Sequence, residues 1–246
     1  MATTSPHPGR PVPRRSALVL LLAGLGLSGC QSIDINATHA AQVRVIVATP
    51  DSPAQDFYQN SSGLAYNLGF GTVTSYVPLP AGAYTLSSAK ANTNQTLVSA
   101  KATFGSTRQY TVIVGNSLAN MQETVLQDQS QPAPAGEVSL RFVQQATHVG
   151  PVDVYLIPSG GKLAATSPVA TNIDFNSNSG YINVPAGTYA IAVLPAGTTP
   201  VPTTVTLHTS TQVTYTSGSA RTIVFIDQPV ATAPGVQAVV ADDYDQ

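Results

Sequence analysis

The chain of 246 residues has no tryptophan, one cysteine, four histidines and only 9% charged residues, against about a quarter in an average soluble protein. Each shortage removes a class of function. Ten basic residues against twelve acidic ones, for a net charge of -2, leave no basic face to neutralise a phosphate backbone, so nucleic-acid binding drops out. The same scarcity argues against a chain held open by its own charge. Cys30 alone can form neither an intrachain disulfide nor a cysteine-ligated zinc site. No phosphate-cradling glycine loop, no His-Glu-x-x-His helix and no basic-aromatic patch is present, and beyond the first thirty residues no amphipathic helix of convincing length can be drawn. What the chain does have is a 43% hydrophobic share with 19 Gly and 19 Pro, enough apolar material for one or two cores broken by many turns.

The N-terminus runs from a basic, Pro-rich start (Arg10, Arg14, Arg15) through an apolar stretch, Ala17 to Leu27, to Ser28-Gly29-Cys30. That stretch is about half the roughly 20 residues of a spanning helix, which suits a signal peptide and not a membrane span. Leu27-Ser28-Gly29-Cys30 resembles the bacterial lipobox, which implies cleavage before Cys30 and acylation of its sulfur; two or more acyl chains anchor a protein firmly. Arg14-Arg15 loosely resembles a twin-arginine export signal, although a basic leader explains it as well. Gln31 after the cysteine implies, in a Gram-negative host, transfer to the outer membrane. Residues 1–29 are therefore expected as signal peptide and 30–41 as a lipidated tether.

Beyond the tether the chain is written twice. Val43-Arg44-Val45-Ile46-Val47, followed by Asp56 and Tyr58, returns as Leu140-Arg141-Phe142-Val143, followed by Asp153 and Tyr155, with Arg, Asp and Tyr at the same spacing. Tyr76 to Tyr84, containing Pro80-Ala81-Gly82, returns as Tyr181 to Tyr189, containing Pro185-Ala186-Gly187. Late in each copy, Arg108-Gln109-Tyr110-Thr111 is aligned with Ala220-Arg221-Thr222-Ile223, with Asp128 and Asp242 after the closing strands. Period-two alternation in short β-branched runs, punctuated by Gly, Pro, Asn and Ser, predicts strands throughout. The expected fold is all-β: two tandem immunoglobulin-like or transthyretin-like β-sandwich modules, 42–128 and 137–246, joined by a solvated Gln/Pro/Ala linker at 129–136. Each Pro-Ala-Gly is a corner whose following tyrosine packs its ring and offers its hydroxyl to the backbone.

These phrases, Pro-Asp-Ser-Pro-Ala-x-Asp-x-Tyr, Tyr-x-x-x-Pro-Ala-Gly-x-Tyr and Tyr-Thr-Val-x-x-Gly, resemble the bacterial family catalogued as domain of unknown function 4397. The resemblance implies exported, often lipidated proteins built from one or more β-sandwich modules, with no established activity. It is closest over Val43 to Leu126. The second copy departs, with Thr147 and His148 where the first has Pro50 and Asp51 and with a blurred Tyr-Thr-Val phrase.

Candidate chemistry is sparse. His7 leaves with the signal and His39 sits in the tether, so His148 and His208 remain. Asp51 with Asp56, and His148 with Asp153, are the best polar pairs, able on loops to hold a divalent cation or a hydroxylated ligand. Their architectural alternative is an Asx turn at Asp51, with Asp56 and Asp153 paired to Arg44 and Arg141 or bonding loop amides. Gly115-Asn116-Ser117-Leu118-Ala119 approximates a nucleophile elbow but lies between strands and reads as a turn. Asp242, Asp243 and Asp245 read as a solvated acidic tail. Tyr58, Tyr66, Tyr155 and Tyr244 are the aromatics a glycan would need. The expectation is a lipid-anchored cell-envelope protein with a non-enzymatic binding or structural role, no cofactor, no metal, and an envelope glycan or protein as partner. The alternative is a cell-surface hydrolase or metal-dependent enzyme using the loop Asp and His residues.

Overall fold

The computed structural model describes residues 39–228 and 235–244. The signal peptide, Cys30, Gln31, the tether as far as residue 38, and Asp245 lie outside the described residues. The described residues form one compact unit. Its strands are β1 (Ala41–Val47), β2 (Gln55–Gln59), β3 (Ser62–Leu68), β4 (Val77–Leu79), β5 (Gly82–Lys90), β6 (Thr96–Phe104), β7 (Gln109–Gly115) and β8 (Gln122–Asp128), then β9 (Glu137–Gln144), β10 (Val152–Pro158), β11 (Ala170–Ile173), β12 (Asn178–Pro185), β13 (Gly187–Pro195), β14 (His208–Thr209), β15 (Val213–Tyr215), β16 (Ala220–Asp227) and β17 (Val236–Tyr244).

They form four sheets with a repeated order. In the first half an inner sheet runs β4-β1-β7-β8 and an outer sheet β3-β2-β5-β6; in the second half the inner sheet is β12-β9-β16-β17 and the outer β11-β10-β13-β14, with β15 also on β13. Each half pairs its first strand parallel to its penultimate one, β1 with β7 and β9 with β16, and antiparallel to the strand that leads into its proline corner, β4 or β12. At those corners the Tyr84 hydroxyl donates to the Pro80 carbonyl at 2.7 Å and the Tyr189 hydroxyl to that of Pro185 at 2.9 Å.

Three apolar layers hold the stack together. Val43, Val45, Val112 and Val114 meet Phe57, Leu86 and Phe104 inside the first sandwich. Leu140, Phe142, Ile223 and Phe225 meet Val154, Leu156, Ile191 and Val193 inside the second. The third layer lies between the two inner sheets: Ile46 and Ile113 pack with Val143, Val224, Ile226 and Ala241. Both faces of each inner sheet are therefore buried, which is why β1, β7, β9 and β16 carry apolar residues at both parities, as strands covered on two sides do. The outer sheet of the first sandwich keeps the plain alternation; in β6, Ser99, Lys101 and Thr103 are exposed while the residues between them turn inward.

Residues 129–136 are not a free linker. Ala133 is buried and donates to the Gly218 carbonyl, Gln129 N–H donates to the Tyr181 hydroxyl, and the Gly136 carbonyl accepts from Ala186. The chain is exposed there, but its amides belong to the second sandwich.

Candidate functional site

The most concentrated chemistry sits between the inner sheets. Parallel register places Arg44 beside Thr111 and Arg141 beside Thr222. The Arg44 guanidinium donates from Nε to Thr111 Oγ1 at 2.8 Å, from one terminal nitrogen to the Asp242 carbonyl at 2.7 Å, and from the other to Asp243 Oδ1. Arg141 repeats the set from the other side, to Thr222 Oγ1, the Gln127 carbonyl and Asp128 Oδ1. Each aspartate takes two hydroxyls from its own half on Oδ2: Asp128 from Tyr76 and Thr111, Asp243 from Tyr181 and Thr222, all at 2.7 Å. Each arginine also lies over its own half's tyrosine, 4.7 Å from the ring centroid of Tyr76 or Tyr181. The result is a two-fold lock in which every arginine reaches across to the other sandwich's aspartate.

Both guanidinium groups and both carboxylates are buried. Burial pushes Asp243 up, the Arg44 charge pulls it down, and Asp128 adds repulsion, leaving it raised overall. Burial and the Asp128 charge hold the Tyr76 phenol far above its usual range, and burial with Asp243 does the same for Tyr181. With their charged ends buried and bonded to one another, these side chains are closed off from a substrate. The lock is architecture.

The expected loop pairs do not converge. Asp56 bonds the amides of Asn67 and Asn92 at 2.8 and 2.9 Å, and Asp153 those of Asn172 and Gly197 at 2.8 and 2.9 Å. All four amide donors have positive φ, between 52° and 79°. Each aspartate thus ties two left-handed turns to a strand, and the pairing of Asp56 and Asp153 with Arg44 and Arg141 gives way to the loop-amide alternative. Asp51 is exposed and accepts from Leu118 N–H at 2.7 Å, bridging two connections. His148 is paired with Asp227 and not with Asp153. Its Nδ1 lies 3.0 Å from Asp227 Oδ1, while the buried Asp227 carboxylate also takes the amides of Thr147 and His148 and the Thr147 hydroxyl. The ring itself is 73% exposed, at the edge of a groove lined by Val149, Pro151, Asn172, Pro195 and Leu207. His208 is half-buried with Nδ1 3.1 Å from the Val236 carbonyl, and burial lowers its pKa. Among the described residues no three His, Cys, Asp or Glu side chains assemble into a metal site.

The aromatics separate by sandwich. Tyr58 and Tyr66 stand edge to face on the first outer sheet, ring centroids 6.1 Å apart, with Tyr66 63% exposed. Tyr155, at the position equivalent to Tyr58 and expected as a ligand-facing residue, is instead 2% exposed, packed with Ala192, Leu194 and Leu163. Tyr244 is half-buried at the end of β17.

Residues 41–155 and 162–246 match the model of a family described as a domain of unknown function, DUF4397. The chain belongs to the DUF4397 family. No curated protein matches it. Solved structures similar to it include the CBMbc module (family CBM26) of Eubacterium rectale Amy13K in complex with maltoheptaose, at 11% identity and TM-score 0.26, covering 83% of this chain and 97% of that one. Another is a streptococcal virulence factor described as binding alpha-glucan, at 11% identity and TM-score 0.26 over 75% and 92% of the two chains. A third is a cell-adhesion candidate from Bacteroides ovatus, at 10% identity and TM-score 0.26 over 84% and 98%. Identity and TM-score are too low for a ligand or partner to pass from those proteins to this one.

In this DUF4397 chain the lock members Thr222 and Asp243 are concealed by two one-residue misalignments. The sequence aligns Thr111 with Ile223 and Asp128 with Asp242, whereas the hydrogen bonds make Thr222 the counterpart of Thr111 and Asp243 the counterpart of Asp128. Asp243 is consequently buried and no part of a solvated tail, while Asp242 faces solvent with Oδ1 2.7 Å from Arg221 Nε. Matching the threonines, each on the same face as the repeated arginine, is the signal that recovers the set.

Proposed function

We propose that this DUF4397 chain is a lipid-anchored, non-enzymatic component of the bacterial cell envelope, held at the membrane through Cys30 and presenting its paired sandwiches as a rigid binding body. The observation that carries the non-enzymatic part is the use made of its carboxylates. Asp51, Asp56, Asp153 and Asp227 hold loop amides, and Asp128 and Asp243 close the lock. The anchoring part rests on the Leu27-Ser28-Gly29-Cys30 string after a short apolar run. In a Gram-negative host, Gln31 directs the mature protein to the outer membrane, and an envelope glycan or protein is its partner. Cells grown with labelled palmitate should yield labelled protein in the membrane fraction. Cys30→Ala should give unlabelled protein, either released or left as uncleaved precursor. Wild-type protein that takes up no label defeats the anchoring.

A further inference from the structure

Duplication makes the two outer sheets comparable, and they have been treated differently. In the second sandwich the connection from β10 to β11, residues 159–169, is long and carries a short 3-10 turn at Leu163–Ala165. Leu163 and Ile157 cover Tyr155, Ala192 and Leu194 on the outer face, and the Tyr155 hydroxyl reaches the Thr198 carbonyl at 3.4 Å. In the first sandwich the corresponding connection is the tight turn Asn60-Ser61, with Asn60 at φ 52°. It is too short to fold back, so the outer face of β3-β2-β5-β6 is left open.

That face has a definite chemistry. Tyr58 pairs across the sheet with Gly63, and a Cβ at Gly63 would fall 1.8 Å from the Tyr66 hydroxyl. The missing side chain lets the Tyr66 ring lie over the β3 backbone beside Tyr58, showing a ring face to solvent. Across the sheet the Tyr58 row continues through Ser87 to Ser99. One pleat further along, Asn60, Thr85, Lys101 and Thr103 line an open groove of about 370 Å³. Four strands at about 4.8 Å spacing make the platform roughly 14 Å wide from β3 to β6. It bears hydroxyls and one amide, has two aromatic rings at one end, and carries one exposed charge, Lys101, the Asp56 carboxylate beside Tyr58 being buried and held by the amides of Asn67 and Asn92.

We propose that this open face is a binding platform for a neutral polysaccharide chain. A pyranose ring sets its C–H face against the exposed Tyr66 ring, edge-supported by Tyr58, and its rim of hydroxyls meets Asn60, Thr85, Ser87 and Lys101. A protein interface would want an apolar centre, and an anionic membrane surface would want several cations; this face offers neither. The proposal rests on the envelope-binding reading above and names its ligand class and site.

Affinity electrophoresis of the full chain through gels containing amylose, dextran or solubilised peptidoglycan glycan tests it, with dextran sulfate as the charged control. Retardation by at least one neutral polymer is expected, reduced at least fivefold by Tyr66→Ala and retained by Tyr66→Phe. Thr85→Trp, at an exposed site that leaves the core untouched, should block the groove with the same loss, while Val205→Ala on the second sandwich should change nothing. Retardation by none of the neutral polymers, by dextran sulfate alone, or unchanged in both Tyr66→Ala and Thr85→Trp overturns the platform. Palmitate labelling is read separately, so a labelled protein that binds no glycan removes the platform and leaves the anchor standing.

Discussion

Glu123 shows how one misplaced charge can be read from the fold. It sits on β8 between Gln122 and Thr124, with its side chain turned toward the first sandwich's interior on the same parity as Val125. Both carboxylate oxygens are buried without a well-formed hydrogen bond. Burial pushes its pKa up from 4.5 to about 7, and the backbone of Ala100 opposes this only weakly. A raised carboxylate means that the folded chain keeps a proton the unfolded chain has released. Stability is therefore greatest below the unfolded value of 4.5 and falls as pH rises to about 7, after which this contribution is flat. Glu123→Gln cannot titrate, so it should be more stable than wild type at pH 8 by about 1–2 kcal/mol, allowing for partial exposure, and equal to it near pH 4.5. Urea midpoints at the two pH values decide; the same difference at both would show that the carboxyl is solvated.

The strands that carry the lock obey a different logic from the strands that carry the outer faces. Removing one member of a buried ion pair leaves the other charge stranded, at a cost of about 3–5 kcal/mol. Arg44→Met or Asp243→Leu should each destabilise by that order. The double variant removes both charges, so its loss should be smaller than the sum of the two by about 2 kcal/mol or more, a coupling that denaturant titration of the four-member cycle measures directly. Additive losses would mean that Arg44 and Asp243 do not read each other across the sandwiches. The same elements explain what the sequence displays and what it conceals. Strand content, the proline corners and the duplicated Asp-x-Tyr of the second strand in each copy follow from local chemistry, because β-branched runs and turn residues act within a few positions. The destination of Arg44 does not, since its partner Asp243 is 199 positions away and lies in what reads as an acidic tail. The one available trace is the double parity of apolar residues in β1, β7, β9 and β16: such strands need cover on both sides. Tyr155 failed as a surface residue for a related reason, because the cover comes from Leu163 in a connection that has no counterpart in the first copy.

Taken together the four sheets cannot be treated as two beads on a string. If the second sandwich unfolded alone, Ile46 and Ile113 would lose their apolar partners Val143, Val224 and Ile226. Arg44 would lose Asp243, and Asp128 would lose Arg141. The surviving half would face water with a sheet built to be covered and with charges built to be paired, and the segment 129–136, bonded to Gly218 and Ala186, would detach as well. Each half thus raises the cost of unfolding the other, and the chain should melt in a single transition with calorimetric and van't Hoff enthalpies equal. Cutting the lock on both sides tests the source of that unity. Arg44→Ala with Arg141→Ala leaves each sandwich's own core intact, since both arginines point away from it, but leaves Asp128 and Asp243 unpaired in the shared layer. The expected scan is two resolved or broadened transitions with a calorimetric enthalpy exceeding the van't Hoff value. A single sharp transition, shifted only downward, would place the coupling in the apolar contacts of Ile46, Ile113, Val143 and Val224 and not in the crossed arginines.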